Sequence, residues 1–383
     1  MLKILKYLGI TIVLCVVAGA IFLVLSPVFG GRQSSDSLHR IESSPNFIDG
    51  QFVNAAPTSV STHSSDSETS IMDWVFQAED KNPTQPLPSE IFHPEQLTEG
   101  KFVWLGHATL LMKLNGLVIM TDPVFHRASP IPVFGSPFPI ENPIPIDNLP
   151  AIDAVVISHD HYDHLDYRAV QWLADRVKHF FVPLGIKAHL VRWGVDPSAI
   201  TEMDWYESEI YRSVQFTLVP ARHFSGRGLW DRNATLWGSW IVAADGLNVY
   251  FSGDTGYSEA FQEIGQRYGP FDVAFIDSGA YNADWSQIHM MPEETVQASI
   301  DLAASIVVPI GWSKFDLALH PWDEPAIRLV KEAESREVAV ASPMIGEVFD
   351  LEEYPETRWW ERLRAEFMQL IYGANSYIFA ITL

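Results

Sequence analysis

The sequence predicts an α/β protein in which two mixed β-sheets lie face to face with helices on the outside. Three observations lead there. Apolar runs of strand length first pair as hairpins and later alternate with helical stretches, with no repeat of solenoid length. A dense group of imidazoles and carboxylates follows one buried run, at the strand end where open α/β sheets place their chemistry. With 47% hydrophobic and 12% aromatic residues, a chain of 383 can bury one large core or two moderate ones.

The chain opens on an apolar stretch, Tyr7 to Leu25, that carries no charge. As a helix it would run about 28 Å at 1.5 Å per residue, close to the roughly 30 Å apolar core of a bilayer. Lys3 and Lys6 precede it, so the positive-inside rule keeps the N-terminus cytoplasmic and places the remainder on the extracytoplasmic, periplasmic side. Val17-Ala18-Gly19-Ala20 resembles a cleavage site, yet apolar sequence continues through Leu25, which favours an uncleaved signal anchor over residues 1–29. Residues 30–94 are expected to be a polar linker and N-terminal extension. Thr58 to Ser70 reads as a flexible tether and Ser44 to Asn54 as a more ordered patch that packs on the domain.

The catalytic domain is expected over 95–383. Phe102–Leu105 and Thr109–Leu114 read as strands around Gly106-His107, and Asn115-Gly116 is a hairpin turn into a strand from Leu117 to Met120. Ser129 to Pro150 holds seven prolines and no helical period, so it is a long loop at the rim of the site. Ile152 to Ile157 is a buried strand. Arg168–Val177 and Gly185–Trp193 read as helices around a strand at His179–Val182. Val214–Val219 is a strand; Trp240–Ala243 and Val249–Phe251 form a hairpin; Phe271–Ile276 is a further strand. Glu293–Ala304, Ile306–Ile310 and Pro325–Glu334 read as helix, strand and helix.

Charge and cysteine content narrow the function. The balance of 25 basic against 48 acidic residues, a net charge of −23, argues against nucleic acid and against electrostatic docking on anionic lipid, though not against apolar contact with a bilayer. Cys15 is the single cysteine, so any metal must be held by His, Asp or Glu. The stretch Ser158-His159-Asp160-His161-Tyr162-Asp163-His164-Leu165-Asp166 suits that need. His159 and His161 can point to one side of extended backbone, and Asp163 with His164 can face a second ion about 3.5–4 Å away.

The wider pattern resembles a known family. His159-x-His161-x-Asp163-His164, the isolated His223 after a strand, and Asp254 in Gly-Asp-Thr-Gly resemble the metallo-β-lactamase superfamily. Trp104-Leu105-Gly106-His107-Ala108-Thr109, Thr121-Asp122-Pro123, Pro220-Ala221-Arg222-His223, Phe251 to Tyr257 and Pro292-Glu293-Glu294 look like its N-acylphosphatidylethanolamine-hydrolysing phospholipase D group and bacterial relatives. The resemblance implies an αββα four-layer sandwich with two Zn²⁺ ions at its edge; Fe or Mn suits the same ligands. Carried over by position, His159, His161 and His223 hold one ion, Asp163 and His164 the other, and Asp254 lies between them. Asp122 and Asp166 are the candidate acceptors behind the ligand imidazoles, and His107 is expected to brace the fold. Asp163 and His289 are the candidate catalytic residues, although the glutamine the family places beside that histidine is Ile288 here. The family's last ligand histidine is replaced by Gly311, in Pro309-Ile310-Gly311-Trp312-Ser313. His320, nine residues on, is the candidate substitute.

The expected function is therefore a membrane-anchored dinuclear-metal hydrolase of a phosphodiester, a phospholipid or similar amphiphile, with Phe125, Phe134, Phe138, Trp230 and Trp237 as candidate rim aromatics. Two alternatives stay open at this point: the same site acting on an ester, lactone or amide, and a non-enzymatic envelope protein with a structural metal.

Overall fold

Successive side chains along the strands point to opposite faces, which sorts them into layers. In the computed structural model, which describes residues 2–61 and 80–363, fifteen strands and seven helices are arranged accordingly. The strands are β1 (Phe47–Ile48), β2 (Gln51–Phe52), β3 (Phe102–Trp104), β4 (Leu110–Leu114), β5 (Leu117–Thr121), β6 (Ile152–Val156), β7 (Val177–Pro183), β8 (Ile200–Met203), β9 (Ser208–Tyr211), β10 (Val214–Val219), β11 (Ser239–Ala244), β12 (Leu247–Phe251), β13 (Phe271–Asp277), β14 (Ala304–Ile310) and β15 (Val348–Phe349). The helices are α1 (Leu2–Leu25), α2 (Ser35–Ser43), α3 (Tyr167–Leu173), α4 (Lys187–Arg192), α5 (Ala260–Tyr268), α6 (Pro292–Asp301) and α7 (Glu324–Ser335).

One sheet has seven strands in the order β15-β3-β4-β5-β6-β7-β8; the other has six, β14-β13-β12-β11-β10-β9. Phe102, Trp104, Leu110, Met112 and Ile119 face Phe216, Leu218, Trp240, Phe251 and Phe275 in the central layer. Their alternates Val103, Leu111, Met120 and Val155 pack outward with Val170 and Leu173 of α3 and Leu190 of α4. On the opposite side Ile241, Tyr250 and Ala274 meet Phe261 and Ile264 of α5 and Ala298 of α6. This is the αββα sandwich.

The expected hairpin forms at Asn115-Gly116, with Leu114 opposite Leu117. β5 through β8 run parallel, as do β12 through β14, so the chain leaves β5, β6, β12, β13 and β14 at one edge. β3 and β10 point the same way, each being two antiparallel steps from β5 or β12. That edge carries the site.

Of the expected linker, the Ser44–Asn54 patch packs on the domain as expected, and residues 35–43 and 87–89 pack on it as well. Ile41 of α2 and Phe52 are buried in the central layer. Arg40 donates to Glu202 O at 2.6 Å and Glu207 at 2.7 Å, and Asn46 to Asp204 at 3.0 Å. Leu87 and Ser89 bridge to Ile140 and Ile345. Residues 62–70 of the expected flexible tether lie outside the described residues. α1 spans 24 residues, and its stretch Lys6–Leu25 is long and apolar enough to cross a membrane.

Candidate metal centre

β6 is buried along its whole length and delivers the His/Asp cluster into the edge between the sheets. A tight turn, in which Leu165 N donates to His161 O at 2.8 Å, folds the motif back so that its side chains converge. His223 arrives from the end of β10 and Asp254 from the end of β12. His159, His164 and His223 are at most 1% exposed, and Asp254 is 6% exposed.

Two donor groups result. The ligand atoms of His159, His161 and His223 lie within 4.8 Å of one another, and so do those of His107, Asp163 and His164. Asp254 stands between the groups: its Oδ1 is 3.0 Å from His164 Nε2, and its Oδ2 is 3.8 Å from His159 Nε2 and 3.9 Å from His223 Nε2. The far nitrogens show which face of each ring is free. His164 Nδ1 donates to Asp122 Oδ2 at 2.7 Å, and His223 Nδ1 to the Ile288 carbonyl at 3.0 Å. That leaves Nε2 of each as a lone pair turned inward. Inward atoms then crowd with at most one proton between each pair: His159 Nε2 and His161 Nδ1 are 2.9 Å apart, His161 Nδ1 and His223 Nε2 3.2 Å, and His107 Nε2 and His164 Nε2 3.2 Å. Buried lone pairs facing one another and a carboxylate repel unless cations sit among them. The donor set fits divalent metals.

The electrostatics agree. Burial, reinforced by the neighbouring imidazoles, drives His159 and His223 well below the usual histidine range, so both are neutral donors near pH 7. His164 is the exception: burial would lower it, but Asp254 and Asp163 overcome that and raise it, so an ion held at its Nε2 would take the place of a proton. Burial opposes ionisation of Asp254, yet His164 and His289 hold it well below the usual carboxylate range.

Other expected residues fall differently. Asp122 does support the site, accepting from Ser158 N at 2.7 Å and Ser158 Oγ at 2.6 Å besides His164. Asp166 does not reach a cluster imidazole. It caps α3 through Arg168 N and holds the 125–126 loop through Phe125 N, His126 N and His126 Nδ1. His320 stays outside both donor groups, because its ring nitrogens lie on the carbonyls of Pro321 at 2.8 Å and Gly279 at 2.7 Å and its face stacks on Tyr281. His107, expected as a brace, instead puts Nε2 3.1 Å from Asp163 Oδ2, from a backbone at φ 55° that such residues rarely adopt. Its loop hydrogen-bonds the very position where the ligand histidine is missing, Gly311 N donating to His107 O at 3.2 Å.

His289 lies beside Asp254, with Nε2 3.9 Å from Oδ2, and its Nδ1 is 2.9 Å from Asp277 Oδ2. Burial would lower His289, but Asp277 and Asp254 lift it to about 9. Asp277, fully buried at the end of β13, went unassigned in the sequence; its one signal is an Asp-Ser-Gly turn after a strand, like the Ser-Gly-Asp turn after β12. Of the rim aromatics, Trp237 and Phe138 belong to the core, whereas Phe134 and Trp230 are exposed. The cleft over the centre has a volume of about 320 Å³ and is lined by Val60, Phe224, Trp285, Ile288 and Leu317 among others.

Comparison with known proteins places this arrangement. Residues 118–312 match the family model described as the beta-lactamase superfamily domain. An uncharacterized Mycobacterium tuberculosis protein is 43% identical over 318 residues, covering 81% of this chain and 85% of its own. The N-acyl-phosphatidylethanolamine-hydrolyzing phospholipase D 1 of Caenorhabditis elegans is 34% identical over 271 residues, 67% of this chain and 75% of that protein. A possible metal-dependent hydrolase from Veillonella parvula superposes with a TM-score of 0.51 at 18% identity, covering 66% of this chain and 99% of that one, which speaks to the fold alone. With the paired sheets and the edge cluster of histidines and aspartates already described, these matches mean that the chain belongs to the metallo-β-lactamase superfamily of hydrolases and is related to the N-acylphosphatidylethanolamine-hydrolysing phospholipases D.

Proposed function

We propose that the chain, tethered by α1 with its domain over 95–383 on the periplasmic side, hydrolyses a phosphodiester in a phospholipid or similar amphiphile. The observation that carries this reading is the pair of donor groups on either side of Asp254, opening into a cleft with apolar walls. Two divalent cations held there, Zn²⁺ by the His/Asp donor set, would offset phosphate charge and supply a nucleophilic water near neutral pH. His159, His161 and His223 would hold one. Asp163, His164 and His107 would hold the other, His107 taking the place that Gly311 leaves empty, and Asp254 would serve both. His289, fixed through Nδ1 by Asp277, would keep a proton on Nε2 for the departing oxygen. Phe224, Trp285 and Leu317 would exclude water and seat acyl chains.

The test uses purified full-length protein on N-acylphosphatidylethanolamine vesicles, a lactone, a carboxylic ester and a β-lactam. Diester cleavage is expected, abolished by a chelator and by His161→Ala or Asp254→Ala in protein that remains folded. Turnover of the lactone or ester alone would move the assignment to carbonyl chemistry, and full activity in either variant would end it. Metal content separates the ligand sets: His107→Ala is expected to retain one ion per chain and His320→Ala two.

A further inference from the structure

The exit from α1 is bolted to the domain. Trp193 Nε1 donates to Pro27 O at 2.7 Å, Gly31 N donates to His189 Nδ1 at 2.9 Å, and Arg192 reaches the carbonyls of Leu25, Ser26 and Gly30. A side chain at Gly31 would put its Cβ 1.9 Å from Ala188 O, so the chain can lie this close to α4 only as glycine. Arg227 completes the joint. Its Nε donates to Val28 O at 3.0 Å, its Nη1 to the carbonyls of Asp160 and Leu165, and its own carbonyl accepts the Tyr162 hydroxyl. The end of the apolar helix, the metal loop and the 225–233 strap are thus one hydrogen-bonded unit.

That strap carries Leu229 and Trp230, 67% and 84% exposed, at its tip. The tip is braced from within: Asp231 accepts from Arg227 N at 3.1 Å and Gly228 N at 2.7 Å, and Ala234 N donates to Asp231 O at 3.0 Å. Trp230 is three residues from Arg227, so the two Cα atoms are at most about 11 Å apart. Val28 is likewise three residues past the end of α1. An exposed Trp-Leu tip held this close to the end of a membrane-length helix suits the headgroup layer, where indole rings with a polar edge collect.

We propose that Leu229–Trp230 is a second membrane contact, inserted into the interfacial layer of the bilayer that α1 crosses, so that the domain sits on the lipid in a fixed pose. The proposal rests on α1 spanning the membrane. Because the chain carries a net charge of −23, the contact is apolar rather than electrostatic.

Full-length protein is reconstituted in phosphatidylethanolamine/phosphatidylglycerol vesicles, and an environment-sensitive fluorophore is attached at Trp230→Cys, or separately at Leu229→Cys, on a Cys15→Ala background. Ile210→Cys is the control; it is 73% exposed on β9, whose partner β10 carries His223 at its other end. A blue-shifted emission at 229 and 230, quenched by a nitroxide near the lipid headgroup in low and high salt alike, with no quenching at 210, is expected. Equal quenching at 229, 230 and 210 overturns the contact, and loss of quenching in high salt overturns its apolar character. The native Cys15, labelled in the unmutated chain, separates the two readings. Quenching of Cys15 by a mid-chain nitroxide without quenching at 230 leaves the anchor standing and removes the second contact, and an unquenched Cys15 removes both.

Discussion

Asp122→Asn isolates the chemistry of one ligand with little change of shape. The Asp122 carboxylate accepts three hydrogen bonds, from Ser158 N, Ser158 Oγ and His164 Nδ1, all at 2.6–2.7 Å in a fully buried position. An amide can keep Ser158 N on its oxygen and can donate to Ser158 Oγ. Its NH₂ then faces His164 Nδ1, where two donors would meet. His164 must change tautomer, moving its proton to Nε2, and the nitrogen 3.0 Å from Asp254 Oδ1 becomes a donor that cannot ligate. Loss of an acceptor behind a metal-bound histidine costs about 10–100-fold in affinity, or about 1.4–2.8 kcal/mol at 1.4 kcal/mol per tenfold. Metal content after equilibration against graded chelator should show one ion per chain released at a chelator activity lower by that factor. The ion proposed on His159, His161 and His223 should be affected less, through the single contact of Ser158 Oγ with His159 Nδ1 at 2.9 Å. The melting temperature of the stripped protein should hardly move, since the amide still bridges Ser158. An Asn variant that keeps both ions with unchanged chelator resistance would refute the tautomer argument.

Other perturbations test separate parts of the structure. Gly311→His, which places a histidine where the resemblance leads one to expect it, should fail to add a ligand. The position has φ +81°, and a Cβ there would sit 2.7 Å from Asp277 Oδ1, so a loss of about 1–2 kcal/mol for the left-handed backbone alone should appear in chemical denaturation, with no gain in bound metal. Asn54→Ala removes a side chain that accepts from His223 N at 3.0 Å and donates to His223 O at 2.7 Å. At about 0.5–1.5 kcal/mol per bond the fold should lose about 1–3 kcal/mol, and the ion on His159, His161 and His223 should leave at lower chelator. Lys314 gives a pH signature. Its ammonium sits among the carbonyls of Val124 at 2.8 Å, Leu105 at 3.0 Å and Gly106 at 3.5 Å, and burial, only partly opposed by Asp166, pulls it to about 7 from 10.5. Between those values the unfolded chain binds the extra proton, so stability should climb as pH rises from neutral toward 10. The climb, read as melting temperature against pH, should be shallower in Lys314→Met; parallel curves would refute it.

What could be read from the sequence, and what could not, follows the range over which each constraint acts. The strands were legible because apolar alternation is local: β10 runs over the expected Val214–Val219, and the Asn115-Gly116 turn sets the β4–β5 register. The contiguous cluster was legible for the same reason, since spacing alone brings His159, His161, Asp163 and His164 to one turn. Which of His107 and His320 stands beside Asp163 and His164 was not. Both stand in loops at the same edge, and the outcome depends on a hydrogen bond from Gly311 to the His107 carbonyl, a left-handed φ at His107 and a stack of His320 on Tyr281, none of which leaves a mark on composition or period. Asp277 was hidden because one carboxylate in a turn gains meaning only when His289 arrives twelve residues later. The polar stretch after α1 was read in part: the Ser44–Asn54 patch packs as expected, whereas helix α2 before it was not foreseen. Low apolar periodicity shows that a segment cannot build a core of its own, but it does not show that the segment is loose. Residues 30–60 lend two large side chains, Ile41 and Phe52, to a core made elsewhere and otherwise attach through polar groups, Arg40, Asn46 and Asn54. A polar run beside a metal site is therefore better judged by whether its amides and guanidinium groups find backbone partners than by its hydropathy, and here Asn54 finds the backbone of His223 itself.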